Sequence, residues 1–100
     1  MRKTVLLFIL CAGFLWHVPC GHAQESSPEK IMSFADHLYE QGDYYRAITE
    51  YERVIFFYPK HPLANKARYQ IAMSYYKGEK FTQAIDRFRA LSDRYRGEEI

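Results

Sequence analysis

The sequence predicts an all-α protein: four antiparallel helices forming two tandem helix-turn-helix units, the start of an α-solenoid, behind an N-terminal signal peptide. Three observations lead there. Displacing the chain by 37 places lays its apolar skeleton upon itself. Within each unit apolar residues recur at i, i+3, i+4 and i+7, the spacing of one buried helix face. Glycines and prolines fall where four helices would begin and end.

The chain has 100 residues, enough for one small domain. Its start is set aside first. Arg2 and Lys3 precede an apolar run from Val5 to Trp16, Pro19 breaks it, and Gly21-His22-Ala23 places small residues before Gln24. That is the pattern of a secretory signal, residues 1–23, cut after Ala23. The run is shorter than the roughly 20 apolar residues a bilayer core needs, so no transmembrane span remains after cleavage. Of the two cysteines, Cys11 lies inside the run. Cys20 is the candidate for lipidation, although His17-Val18-Pro19 before it is a poor lipidation signal. A cut after Ala23 leaves a mature chain without cysteine, and stability must come from packing.

Residues 24–27 read as a short linker and 28–97 as the two repeats, about 28–61 and 62–97, with 98–100 a tail. Ser27 before Pro28 is an N-cap with proline in the first turn, and Ile31, Phe34, Ala35 and Leu38 form the buried face of a helix over 28–41. Gly42 stops it in a left-handed conformation and Asp43 caps the next. Tyr44, Ala47, Ile48, Tyr51, Ile55 and Tyr58 carry the stripe of a second helix, 44–58. Pro59 and Pro62 enclose a connection, and Pro62 starts a third, 62–77, with Ala64, Ala67, Ile71, Ala72 and Tyr75 inward. Gly78 ends it. Phe81, Ala84, Ile85, Phe88 and Leu91 mark a fourth, 80–95. The 37-place displacement puts Phe34, Ala35 and Leu38 on Ile71, Ala72 and Tyr75, and Ala47 and Ile48 on Ala84 and Ile85. Ala47 and Ala84 let paired helices cross closely.

These residues carry a family resemblance. Gly42-Asp43-Tyr44-Tyr45-Arg46-Ala47-Ile48, followed by Tyr51, Val54 and Pro59, resembles the second half of a tetratricopeptide repeat, with Ala35 and Leu38 as its small and large first-helix residues. The second copy keeps Ala72, Tyr75, Phe81, Ala84, Phe88 and Leu91, while Gly78 comes one residue early and Arg96 replaces the closing proline. The long period and the phrase Tyr58-Pro59-Lys60-His61-Pro62-Leu63-Ala64 are similar to two envelope families of Gram-negative bacteria, the BamD outer-membrane assembly lipoproteins and the CpoB Tol–Pal coordinators.

The resemblance implies a concave groove lined by the first helix of each pair and occupied by a protein or peptide. Carried across by position, the groove residues are Glu29, Met32, Asp36, Tyr39 and Glu40 in the first repeat, and Lys66, Tyr69, Met73, Tyr76 and Lys77 in the second. The alternative is that the tyrosines complete the core with their hydroxyls in water. Two functional readings stand: a soluble periplasmic adaptor, or a lipid-anchored structural part of an outer-membrane assembly complex held through Cys20.

Charge adds a further expectation. From Gln24 to Pro59 seven acids face three bases, and from Lys60 to Ile100 nine bases face five acids. The basic half, with Arg87, Arg89, Arg94 and Arg96, either meets the acidic half of another copy or is a solvated surface. No basic tail points to nucleic acid. No cofactor motif is present, His37 and His61 lie outside metal-ligand spacing, and the expectation is a binding protein and not an enzyme. Two repeats bury little, so further repeats beyond Ile100 or a homo-oligomer are expected to cover the last helix.

Overall fold

The computed structural model describes residues 26–98; the expected signal segment, Cys20 and the last two residues lie outside them. The described residues form four helices: α1 Pro28–Glu40, α2 Tyr44–Phe57, α3 Pro62–Lys77 and α4 Phe81–Glu98. Each packs on the next in sequence, and α1 also touches α3. The first three helices start and stop within a residue of the positions their caps and prolines predict, and α4 runs three residues further than expected.

The caps operate as local chemistry demands. Ser27 Oγ accepts the Lys30 amide at 3.2 Å, and Asp43 Oδ1 accepts that of Arg46 at 3.3 Å. His61 caps α3, its Nδ1 accepting the Leu63 amide at 3.1 Å. Each satisfies a donor that a helix start otherwise leaves unpaired.

The two inter-helix turns close alike. Asp43 N–H reaches back to the Leu38 carbonyl at 2.9 Å, and Lys80 N–H to that of Tyr75 at 2.8 Å, the six-to-one bond of a helix end that passes through a left-handed residue. In the first turn that residue is Gly42, at φ 80°. In the second it is Glu79, at φ 63°, not Gly78. The repeat thus keeps its 37-residue register through the turn: Gly78 ends the helix as its cap, as expected, and Glu79 stands in Gly42's place. Gly78 serves another need: a Cβ there would stand 3.1 Å from the Ser74 carbonyl oxygen and 3.6 Å from Tyr44 Cδ2.

The core lies among α1, α2 and α3. Ile31, Met32, Ala35 and Leu38 meet Ala47, Tyr51 and Val54 of α2 and Ala67 and Ile71 of α3. Ala47 is fully buried and Ala84 nearly so, as close crossing requires. Three residues expected inside are not. Phe34, Phe81 and Ile85 are 44%, 53% and 51% exposed. Their places in the register are those of Ile71, Tyr44 and Ile48, which the neighbouring repeat covers. Phe34 lies on the outer side of the first repeat and Ile85 on that of the second, where no described helix covers them, and Phe81 is only partly shielded, by the Tyr76 ring.

Candidate functional site

The inter-helix contacts set the curvature. The first helices of the two units, α1 and α3, touch, while the backbones of α2 and α4 stay apart. The α1/α3 layer is therefore the inner side.

On that side lies a depression of about 480 Å³, lined along α1 by Glu29, Met32, Ser33, Asp36, His37 and Glu40 and closed by Leu63 of α3. Four of the five positions expected from the first repeat, Glu29, Met32, Asp36 and Glu40, converge here. Met32 is 4% exposed and supplies the floor, because it sits beside Ile31 and Ala35 on the core stripe. Tyr39 is elsewhere. It packs on the core, edge-on to Tyr44 at 5.6 Å, with the Lys77 ammonium 5.9 Å from its ring centroid.

The second repeat's expected residues do not line this depression. Tyr69 and Tyr76 are half-exposed, but their rings meet Phe88 and Phe81 of α4 edge-on at 6.2 and 5.8 Å. They partly shield that helix from water without joining the core; of the three groove tyrosines only Tyr39 packs on it. Lys66 is exposed and Met73 half-buried. Ser33, His37 and Leu63 were not anticipated. Ser33 and His37 follow Glu29 at four-residue steps and were legible from helix geometry alone; Leu63 required knowing how α3 approaches α1.

Asp36 is the fixed point of the site. Its Oδ1 accepts the Tyr51 hydroxyl at 2.5 Å, and Tyr51 Oη in turn accepts Gln70 Nε2 at 3.3 Å. Three helices are joined by two hydrogen bonds through a tyrosine with no exposed surface. Burial pushes the Tyr51 phenol well above its ordinary range, and the adjoining Asp36 carboxylate pushes it further. At the rim, Glu29 Oε1 lies 3.5 Å from His61 Nε2. Since His61 Nδ1 accepts a backbone amide, the neutral ring carries its proton on Nε2, the nitrogen on the Glu29 side.

Chemically the depression offers three carboxylates around a methionine and leucine floor. Such a surface holds apolar side chains and cationic groups by contact and charge.

An open stack of helix pairs, small residues at the crossings and an inner face lined by the first helices define a tetratricopeptide-type repeat protein, a class whose work is holding other proteins. The family described as "Anaphase-promoting complex, cyclosome, subunit 3", with repeats of this type, matches residues 14–91, and the chain belongs to it. No curated protein matches the chain. Among the described residues no helix is long and apolar enough to cross a membrane.

Proposed function

We propose that the chain is an exported adaptor of the bacterial cell envelope whose inner groove holds a segment of another protein, by contact and without catalysis. The observation that carries the binding is the α1 depression with Glu29, Asp36 and Glu40 around Met32 and Leu63. Along the helix those carboxylates stand about 10 and 6 Å apart. An extended chain advances about 3.3 Å per residue. Because successive side chains of such a chain point to opposite faces, the step it matches is the one of about 6 Å from Asp36 to Glu40, and the pattern favours a segment with lysine or arginine two residues apart and apolar side chains lying on the floor.

Export rests on the Arg2 to Ala23 pattern, and a Gram-negative envelope on the likeness to the BamD and CpoB families. In that setting a mature chain beginning at Gln24 is the soluble periplasmic form. A diacylated chain beginning at Cys20 is instead a lipid-anchored assembly component, and the mass of the chain recovered from an envelope separates the two.

Placing a photo-crosslinking residue at Ser33, within the depression, and at Thr82, on α4, tests the groove in cells. The expected result is a discrete crosslinked product from Ser33 that Thr82 does not give. No product from Ser33, or the same product from both positions, removes the groove as the binding surface.

A further inference from the structure

The opposite side of the molecule carries a second surface with different chemistry. Because the backbones of α2 and α4 stay apart, a cleft opens between them. It comprises two adjoining depressions of about 670 and 250 Å³ that share Ile55 and Arg87. Ile55 and Leu91 form its recessed floor; Leu91 is buried and Ile55 half-buried. At one end stand Phe56 and Phe57, their rings edge-on at 5.1 Å. Phe56 is 78% exposed, and a large aromatic this open beside an apolar cleft is the kind of feature that marks a contact surface.

The charge around the cleft has one dominant sign. Among the described residues Arg53, Arg68, Arg87 and Arg94 line it with the carboxylate of Glu52, and Glu50 meets Arg53 from beside it. Two of these are held in place yet remain reachable. Arg53 bonds Glu50 at 2.8 Å and Arg87 lies 3.4 Å from Glu52, with their side chains 46% and 45% exposed. Arg87 is further steadied over the Tyr75 ring at 5.7 Å. Arg68 and Arg94 converge on Asn65 Oδ1 at 2.8 and 3.2 Å. Every lining cation is arginine, whose planar fork matches a carboxylate at two points and forfeits less rotational freedom per bond than lysine.

We infer that the α2/α4 cleft binds an acidic peptide segment carrying an aromatic or aliphatic anchor. Its glutamates or aspartates pair with Arg53 and Arg87, and its anchor lies on Ile55 and Leu91 against Phe56. A bilayer is the poorer occupant. Phe56 protrudes as lipid insertion requires, but the apolar floor of Ile55 and Leu91 is recessed, where a single inserted side chain reaches it and a bilayer surface does not. The inner groove is acidic and this cleft basic, so the two faces select segments of opposite charge, and the inference does not depend on the groove.

Selection from a random peptide library on the full chain tests this, with counter-selection on Phe56→Ser and on Arg53→Gln/Arg87→Gln. Circular dichroism confirms that the variants remain folded, as exposed positions allow. The expected result is a set of acidic peptides with an apolar anchor that lose binding about tenfold or more in each variant. Those peptides weaken as salt rises and keep their affinity for Ser33→Arg, which obstructs the groove. The inference is overturned if no peptides depend on these residues, or if the dependent peptides lack an excess of acid. It is equally overturned if phosphatidylserine vesicles bind through Phe56 while no peptide does.

Discussion

The Tyr51 hydroxyl meets the Asp36 carboxylate at 2.5 Å across the boundary between α2 and α1, and Gln70 of α3 closes on the same oxygen at 3.3 Å. One phenol thus ties the first helix of one repeat to the first helix of the next, and the acid on the inner face is held by a group beneath it. Among the described residues every buried side-chain nitrogen and oxygen has a partner, and this phenol supplies one to both Asp36 and Gln70.

Tyr51→Phe keeps the ring and deletes both hydrogen bonds. The expected loss is about 1–2 kcal/mol of unfolding free energy, toward the lower part of the range for bonds to charged groups, because water reaches half-buried Asp36. A shift in the urea midpoint without a change in slope measures it.

The same phenol makes stability depend on alkaline pH. Its folded pKa is raised, so the unfolded chain releases the proton first, near pH 10. The native state then binds more protons than the unfolded one, and unfolding free energy falls as pH rises. Stability from this group is fully present below about pH 10 and declines above it by up to about 1.4 kcal/mol per pH unit. Denaturant titrations between neutral pH and pH 11 should show that decline in the parent and a shallower one in Tyr51→Phe.

The crossings in the two pairs should be intolerant of volume. Ala47 and Ala84 are enclosed on all sides, so Ala47→Leu should cost about 1–3 kcal/mol by overpacking. Ala90, exposed on α4, is the control, and Ala90→Leu should change stability by less than about 0.5 kcal/mol.

Glu79 holds a left-handed conformation that disfavours any side chain with a Cβ. Glu79→Gly should therefore stabilise by about 0.5–1 kcal/mol, and Gly42→Ala should destabilise by about 1–2 kcal/mol. A Cβ at Gly42 meets open space, so its cost is conformational alone. Gly78→Ala should also destabilise, but through crowding against Ser74 and Tyr44. Thermal melts of the three variants separate these outcomes.

His61 caps α3 and faces Glu29. His61→Ala should cost about 1 kcal/mol, and His61→Asn should recover most of it by restoring an acceptor to the Leu63 amide. Equal losses in both variants would mean that the Glu29 contact, not the cap, is the stabilising part.

The sequence by itself determined the local and periodic features. Four helices, their caps at Ser27 and Asp43, the left-handed Gly42 and the small crossings at Ala47 and Ala84 all follow from φ/ψ preference and i, i+3, i+4 spacing, which act over a few residues. The register of 37 was equally legible because each unit repeats the same packing problem. Position within a repeat also placed Glu29, Asp36 and Glu40 on the inner face.

Tertiary structure alone decided what covers each face. Periodicity marks Phe34, Ile71 and Ile85 alike as apolar, yet only Ile71 lies between repeats, so it is buried and the others are exposed. Periodicity likewise could not show that Tyr69 and Tyr76 turn to Phe88 and Phe81, that Leu63 closes the depression, or that Asp36 is anchored by Tyr51. Those facts depend on how far one helix leans on another, and that is set by the summed packing of all four. The arginine-lined cleft has the same origin: α2 and α4 are far apart in sequence and their backbones stay apart, and their shared packing on α3 brings Arg53 and Arg87 to one opening.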